Sequence, residues 1–296
     1  MGVSALAMPR DAGSRPAAQI AGGLLAWISA IVVVLAVAAL IVIVARAGWQ
    51  NIVWVFETES DAGIGAALVS TLAVLGLALP PAIALSFCAG AAAAEPAIGA
   101  GAGRFLAATL RFGPSLPSTA LGLAALGLIT ANPALERSVQ ANPLVAVAIV
   151  LVALNLPIMT ARFRTVMRAV PPEWRVAAFA AGAPPVSMFF GVVVPRAMPG
   201  IIAVVLHGVG QMLGETAAVA IVLSVSTGVK FVNHALTFAP APLPVHLWQR
   251  LAVGHPDPSS APSAASETLI LLVAIVVLRF VGRVLARRRR PSGAGA

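Results

Sequence analysis

VPPEWRVAAFAAGAPPVSMFFGVVVPRAMPGIIAVVLHGVGQMLGETAAV, residues 170–219, changes character along its length. It opens as a charged, proline-rich loop with Glu173 and Arg175, runs through an alanine-rich segment to Gly182 and Pro195, and becomes an apolar run interrupted by one carboxylate, Glu215. A polar loop feeding an apolar run long enough to cross hydrocarbon reads as a membrane helix entered from one surface. Four further apolar runs precede this stretch and one follows it.

Composition agrees. Of 296 residues, 59% are hydrophobic and only 10% charged, a balance outside the range of soluble domains. The chain is therefore expected to be an all-α integral membrane protein. Cys88, the only cysteine, lies inside an apolar run, which excludes a disulfide framework or a cysteine metal site. The net charge of +9 does not indicate nucleic acid, because the basic residues flank the apolar runs and no soluble domain remains to carry a binding face.

Taken in order, residues 1–20 read as a disordered tail, and residues 21–45 are uncharged and long enough to span. The second run, 62–94, contains Pro80 and Pro81, which imply either a kink or a helix stop. Arg104 and Arg111 bracket an amphipathic segment before the third run, 112–135, where Ser118 and Gly122 stand four apart and allow close helix approach. A short polar link leads to the fourth run, 144–161, with Asn155 and Pro157. The fifth covers 199–224 and the sixth begins after Glu267. The domain reading is a cytoplasmic tail (1–20), a six-span domain (21–290) and a second cytoplasmic tail (291–296).

With the amino terminus inside, fifteen basic residues fall on the cytoplasmic side and four (Arg46, Arg137, Lys230 and Arg250) outside. That asymmetry sets the orientation, with both termini and the Gly182 loop in the cytoplasm. There is no phosphate-cradling glycine loop followed by lysine, so any ATP is expected to be bound by another chain and no cofactor by this one.

The paired alanines Ala177 and Ala178, then Gly182, a nine-residue gap, Val192, Val194 and Pro195, resemble the glycine-centred coupling loop of ABC importer permeases. Gly214-Glu215-Thr216-Ala217 resembles the signature of phosphate-specific permease subunits. Asp61-Ala-Gly-Ile-Gly, Leu116-Pro117-Ser118, Leu156-Pro157 and Leu243-Pro244-Val245-His246 are similar to further motifs of that family, the last favouring its PstA type. The resemblance covers most of residues 60–290 and implies a type I importer permease with six transmembrane helices and a cytoplasmic coupling helix. It also implies partners: a second permease subunit of the PstC type, a cytoplasmic ATPase dimer, an extracytoplasmic phosphate-binding protein, and membrane lipid around the spans. The subunit itself is expected not to be an enzyme.

Within that reading, Glu173, Arg175, Ala177, Ala178, Gly182 and Pro195 form the ATPase-coupling segment, a small apolar helix suited to a groove on a partner. Val176 stands where the family carries a glutamate, and Glu173 is its candidate substitute. Glu215, Thr216, Gln211, Asn155, His207 and Arg162 are the candidate pathway groups. A glutamate inside a span must face the bundle interior or a water path, and it accepts a hydrogen bond from the O–H of hydrogen phosphate, which fully ionised sulfate lacks. The family's two arginines are replaced by Gln211 and Ala161. His207, one helical turn before Gln211, and Arg162, beside Ala161, are candidate sources of positive charge, although a packed helix residue for His207 and an interfacial anchor for Arg162 are the plainer readings. Arg279 reads as a snorkelling side chain. Two alternatives stay open: a permease for molybdate or sulfate, and a non-transporting membrane scaffold that senses phosphate.

Overall fold

The computed structural model describes residues 15–49, 64–95, 117–227, 241–248 and 261–287. Every regular element among them is helical. They are α1 (Arg15–Trp49), α2 (Ile64–Ala94), α3 (Ser118–Thr130), α4 (Pro133–Ala141), α5 (Pro143–Arg168) and α6 (Pro172–Ala180). Next come α7 (Pro185–Met188), a π-helical turn (Phe189–Val193), α8 (Val194–Leu213), α9 (Ala217–Thr227), α10 (Leu243–Trp248) and α11 (Ala261–Arg287). The segment bracketed by Arg104 and Arg111, Asp61, Leu116, Lys230 and Arg250 lie outside the described residues, as do 1–14 and 288–296.

Five of the helices are long and apolar enough to cross a membrane, and a sixth crossing arises if α3 and α4, bent by 112° at their junction, count as one broken span. The expected spans hold with four adjustments. α1 begins at Arg15, so 15–20 are helical and not part of a tail. α2 runs unbroken through Pro80 and Pro81, packed along α5, because leaving the helix in hydrocarbon would strand more backbone N–H and C=O groups than the two prolines free. The polar link after α3 is itself a helix, α4: the Asn132 side chain accepts hydrogen bonds from Ala134 and Leu135 N–H (3.0 and 3.3 Å) and Pro133 occupies the first turn.

The fourth adjustment concerns the fifth span. It starts at Pro185 and ends at Leu213, so Glu215 lies in a non-helical break between α8 and α9 and not in the middle of a continuous helix. At its start the π turn falls just ahead of Pro195, which has no N–H to return to Gly191. Val194 N–H reaches back to Phe189 O instead, and this wider turn lets the helix continue. At its end, Gly214 and Glu215 N–H bond only to Gln211 and Met212 O (3.2 and 3.3 Å), a tightening turn that closes α8.

The core lies between α2, α5, α8 and α9. α2 and α5 cross at Gly90, where a Cβ would come within 2.7 Å of Phe163 Cβ and 3.2 Å of Arg164 N, so the two backbones touch there. Below the crossing, Phe87, Phe163 and Phe189 join α2, α5 and the π turn through edge-on and tilted contacts with ring centroids 5.7 and 6.2 Å apart. α3 meets α9 at Gly122, where a Cβ would lie 2.9 Å from Ala218 Cα, the close approach that its spacing from Ser118 implies. α10 is wedged between α2 and α11 with Leu243, Pro244 and Val245 buried. Leu243 N–H donates to Thr71 Oγ1 (2.8 Å), and His246 Nδ1 lies 3.1 Å from Glu267 Oε2. α1 stands at the edge, with α11 its one substantial neighbour among the described elements, and exposes Val32, Val33, Leu35 and Ile43. A helix that is apolar all round and scarcely buried in its own chain faces lipid.

Candidate coupling surface and substrate pathway

α6 occupies the loop between α5 and α7 at one end of the bundle. Pro172 starts it, and Gly182 stops it. With φ at +81°, Gly182 takes the left-handed conformation that closes a helix. Its N–H donates to Phe179 O (2.9 Å) and the N–H of Ala183 to Ala178 O (3.0 Å). This pair of bonds satisfies the last carbonyls and turns the chain back toward α7. The helix within the expected coupling segment thus covers Pro172–Ala180, taking in Glu173 and Arg175.

No residue of α6 is buried. Its attachment comes from Arg175, whose guanidinium donates to Glu95 Oε1 from Nε (2.9 Å) and Nη2 (2.7 Å), to Val170 O (2.6 Å) and to Met167 O (2.8 Å). One side chain therefore joins α6 to the carboxyl ends of α2 and α5. Sequence reading places Arg175 among docking groups; its guanidinium instead turns inward. Glu95 was missed, although it has a signal: it is the lone carboxylate directly after an uncharged run and before Pro96. Glu173, by contrast, is exposed and makes no ion pair with a described residue. Ala178 packs against the core while Ala177 is exposed. Trp174, Val176 and Phe179 expose 49%, 65% and 43% of their surface, and Arg196 of α8 stacks over Trp174 at 3.7 Å. Beside Arg196, Pro195 sits in the first turn of α8. The result is a short apolar ledge on a clamped base, which is how a helix offers itself to a groove.

The candidate pathway residues are spread along α5, α8 and the break after α8. Glu215 is half-buried and lines a cavity whose other walls are Thr71 and Val74 of α2, Val147 and Leu151 of α5, Val219 of α9 and Pro244 of α10. Thr216 is next to it, and its carbonyl accepts the Ala220 N–H (2.9 Å) as α9 begins. One turn of α5 past Leu151 stands Asn155, buried, with Nδ2 donating to Leu151 O (2.9 Å) and Oδ1 unpartnered. A further turn on, Met159 packs under Gly208, where a Cβ would lie 2.8 Å from Met159 Sδ. Arg162 follows on the same helix, half-buried. His207 and Gln211 of α8 are half-buried and on one face, four residues apart. The structure thus brings Glu215 to a cavity and sets Asn155 between that cavity and the Met159–Gly208 contact. It sets Arg162 and His207 apart from Glu215, more than a turn toward the α6 end. Among the described residues, no group of His, Cys, Asp and Glu side chains could hold a metal ion.

Residues 63–291 match the family described as binding-protein-dependent transport system inner membrane component. The chain is 29% identical over 255 residues to the phosphate transport system permease protein PstA 1 of Mycobacterium tuberculosis, covering 83% of this chain and 79% of that one. It is 30% identical over 147 residues to the phosphate transport system permease protein PstA of Mycobacterium leprae, covering 49% and 47%. Among solved structures, a chain of the MetNI methionine ABC transporter, in inward-facing conformations, matches with a TM-score of 0.49 at 16% identity, covering 83% of this chain and 96% of that one.

Proposed function

The chain belongs to the family of binding-protein-dependent transport system inner membrane components, and from that membership we propose that it is the PstA-type permease subunit of an ATP-driven importer of inorganic phosphate. The relatives named as phosphate permeases support the substrate. The observation that carries the reading at the level of residues is the position of Glu215, a carboxylate held in a helix break at the wall of a cavity. A carboxylate repels a dianion with no proton to give, and accepts a hydrogen bond from one that has an O–H. Hydrogen phosphate carries that donor and sulfate does not, so Glu215 selects between them by leaving an unmet acceptor and a like charge against sulfate.

In this reading α6 lies in the cytoplasm and its ledge of Trp174, Val176 and Phe179 docks in the ATPase dimer. Both termini are cytoplasmic, in accord with the excess of basic residues at that end. ATP is bound and hydrolysed by the ATPase, this chain is not itself an enzyme, and a PstC-type subunit completes the pore. When the ATPase moves α6, Arg175 carries the displacement to the ends of α2 and α5, and α5 carries it to the Met159–Gly208 contact. That contact stands between the Glu215 cavity and the half of the pathway nearer α6, where its opening would let the anion pass.

The test is ATP-dependent uptake of radiolabelled phosphate into vesicles holding this chain with its permease partner, ATPase and binding protein, competed by sulfate and by molybdate. Uptake that resists both competitors, and that loses its resistance to sulfate in Glu215→Gln, is the expected result. Phosphate selectivity unchanged in Glu215→Gln would remove Glu215 from the site, and preferential uptake of molybdate or sulfate would remove phosphate as the substrate.

A further inference from the structure

α8 lies between α5 and α11, and its contacts define two faces. Gly200 and Gly208 meet Val166 and Met159 of α5, whereas Gly210 and Gly214 meet Arg279 and Ile275 of α11 and Ala203 meets Gly282. At about 100° per residue, a strip containing His207 and Gln211 runs along α8 between these two faces. On the α5 side, Arg162 falls between Met159 and Val166, the two residues that touch α8, and so flanks the strip. On the α11 side, Arg279 does not run out toward the helix end. Its stem lies along Gly210, where a Cβ would be 3.7 Å from Arg279 Cγ and 3.9 Å from Nε. The charges of Arg162, Arg279 and Arg283 all act on His207, and those of Arg162 and Arg279 act on each other.

None of these three arginines makes a hydrogen bond or ion pair with a described residue, and all are at least partly open at the surface of this chain. Like charges gathered without a carboxylate between them repel, and a guanidinium opened to hydrocarbon is costly. A surface strip with this charge is stable against a second protein subunit that encloses an anion-filled passage. Among the described residues, the carboxylate next to α8 is Glu215, which follows Gly214; Gly214 lies beside Ile275, about one turn of α11 further along from Arg279. Along the strip, acceptor and donors are thus separated.

Resting on the phosphate-permease reading above, we infer that Arg279 and Arg162, approaching from α11 and α5 across the His207–Gln211 strip of α8, form a tetrahedral-oxyanion site on the α6 side of Glu215. Arg279 thereby supplies on α11 the positive charge that α8 lacks at Gln211. A guanidinium presents a planar pair of donors to two oxygens of a tetrahedral anion, and two of them from opposite flanks leave the remaining oxygens toward the partner subunit. His207 and Gln211 add uncharged or weakly charged donors from the strip itself.

The experiment uses the whole complex in vesicles, with labelled phosphate, sulfate and molybdate as probes, in zwitterionic lipid with and without added anionic phospholipid. Arg279→Gln is expected to raise KM for phosphate about tenfold to hundredfold, the effect of losing one charged hydrogen-bond partner, with ATP hydrolysis retained. Arg279→Lys restores part of it, and Gln211→Arg placed in Arg279→Gln restores more, since it returns the charge to the same strip. Arg162→Gln is read in the same way and decides the matter if Arg279→Gln does not assemble. An unchanged KM in these variants overturns the site and leaves the phosphate reading standing. Should wild type carry molybdate or sulfate instead, the phosphate reading falls and the same variants on that anion decide the site; if it carries none of the three, both fall. An effect of Arg279→Gln seen only with anionic phospholipid assigns the arginine to a lipid headgroup and overturns the proposal.

Discussion

Replacing Arg175 with leucine removes the α6 side chain whose hydrogen bonds tie the helix to the ends of α2 and α5. Glu95 is 5% exposed, and among the described residues its carboxylate is held by Arg175 alone, at 2.9 and 2.7 Å. Breaking a buried pair by deleting one partner costs about 3–5 kcal/mol, because the other charge stays buried and unpaired. The bonds from Arg175 to Val170 O and Met167 O (2.6 and 2.8 Å) are lost as well, each worth about 1 kcal/mol. Glu95→Leu is milder, since Arg175 retains the two carbonyls and reaches water. In Glu95→Leu with Arg175→Leu no charge is stranded, so the double variant is less damaging than the sum of the singles by about 2–3 kcal/mol. Thermal unfolding of the purified complex reads these costs, and the ratio of phosphate imported to ATP hydrolysed reads coupling. Arg175→Leu is expected to lower that ratio severalfold while basal hydrolysis persists. Additive effects of the two singles, or an unchanged transport ratio in Arg175→Leu, would refute the clamp.

Three further outcomes follow from the same geometry. Gly90→Ala places a Cβ 2.7 Å from Phe163 Cβ and 3.2 Å from the Arg164 backbone, so α2 and α5 must separate, lowering stability by about 1–3 kcal/mol; Gly76→Ala, where a Cβ meets nothing within 4 Å, is the matched control and leaves the melting temperature unchanged or slightly raised. Gly182→Ala forces a Cβ into the +81° conformation and costs about 1 kcal/mol, read as weaker coupling at constant basal ATP hydrolysis, with Gly182→Val worse. Asn132→Ala removes the cap of α4, costs about 1 kcal/mol and shows as faster amide exchange over residues 133–136.

The span count, the glycine-centred loop and the carboxylate near the end of α8 are legible in the sequence because each follows from local signals: apolar length, a residue that tolerates positive φ, and an ionisable group amid hydrocarbon. Asn132-Pro133 and Asn142-Pro143 also announce helix starts, so α4 was readable, though its length hid it as a link. The break at Gly214–Thr216 is less so, since threonine and alanine continue the apolar pattern and only the tightening hydrogen bonds of the last turn reveal the end. Two assignments needed three dimensions. Arg175 faces inward because Glu95, 80 residues away in sequence, waits for it at the foot of α2. Arg279 lies along α8 because Gly210 leaves it room. Charge counts along loops or spans carry no information about either pairing.

The first helix is joined to the last: Ser266 Oγ donates to Gly48 O (2.9 Å) across 218 residues of chain, and Gly48 lies against Ala265 so closely that a Cβ would come within 2.8 Å of its carbonyl oxygen. At ribosomal speeds of about 5–20 residues per second, α1 spends roughly 11–44 s in the bilayer before its partner has been made. Through that interval any polar stripe shaped for α11 would be without that partner, and exposed to hydrocarbon wherever α1 faces lipid. The apolar face that α1 exposes over residues 32–43 suits that wait in the bilayer, and the α1–α11 contact closes only once α11 has been made.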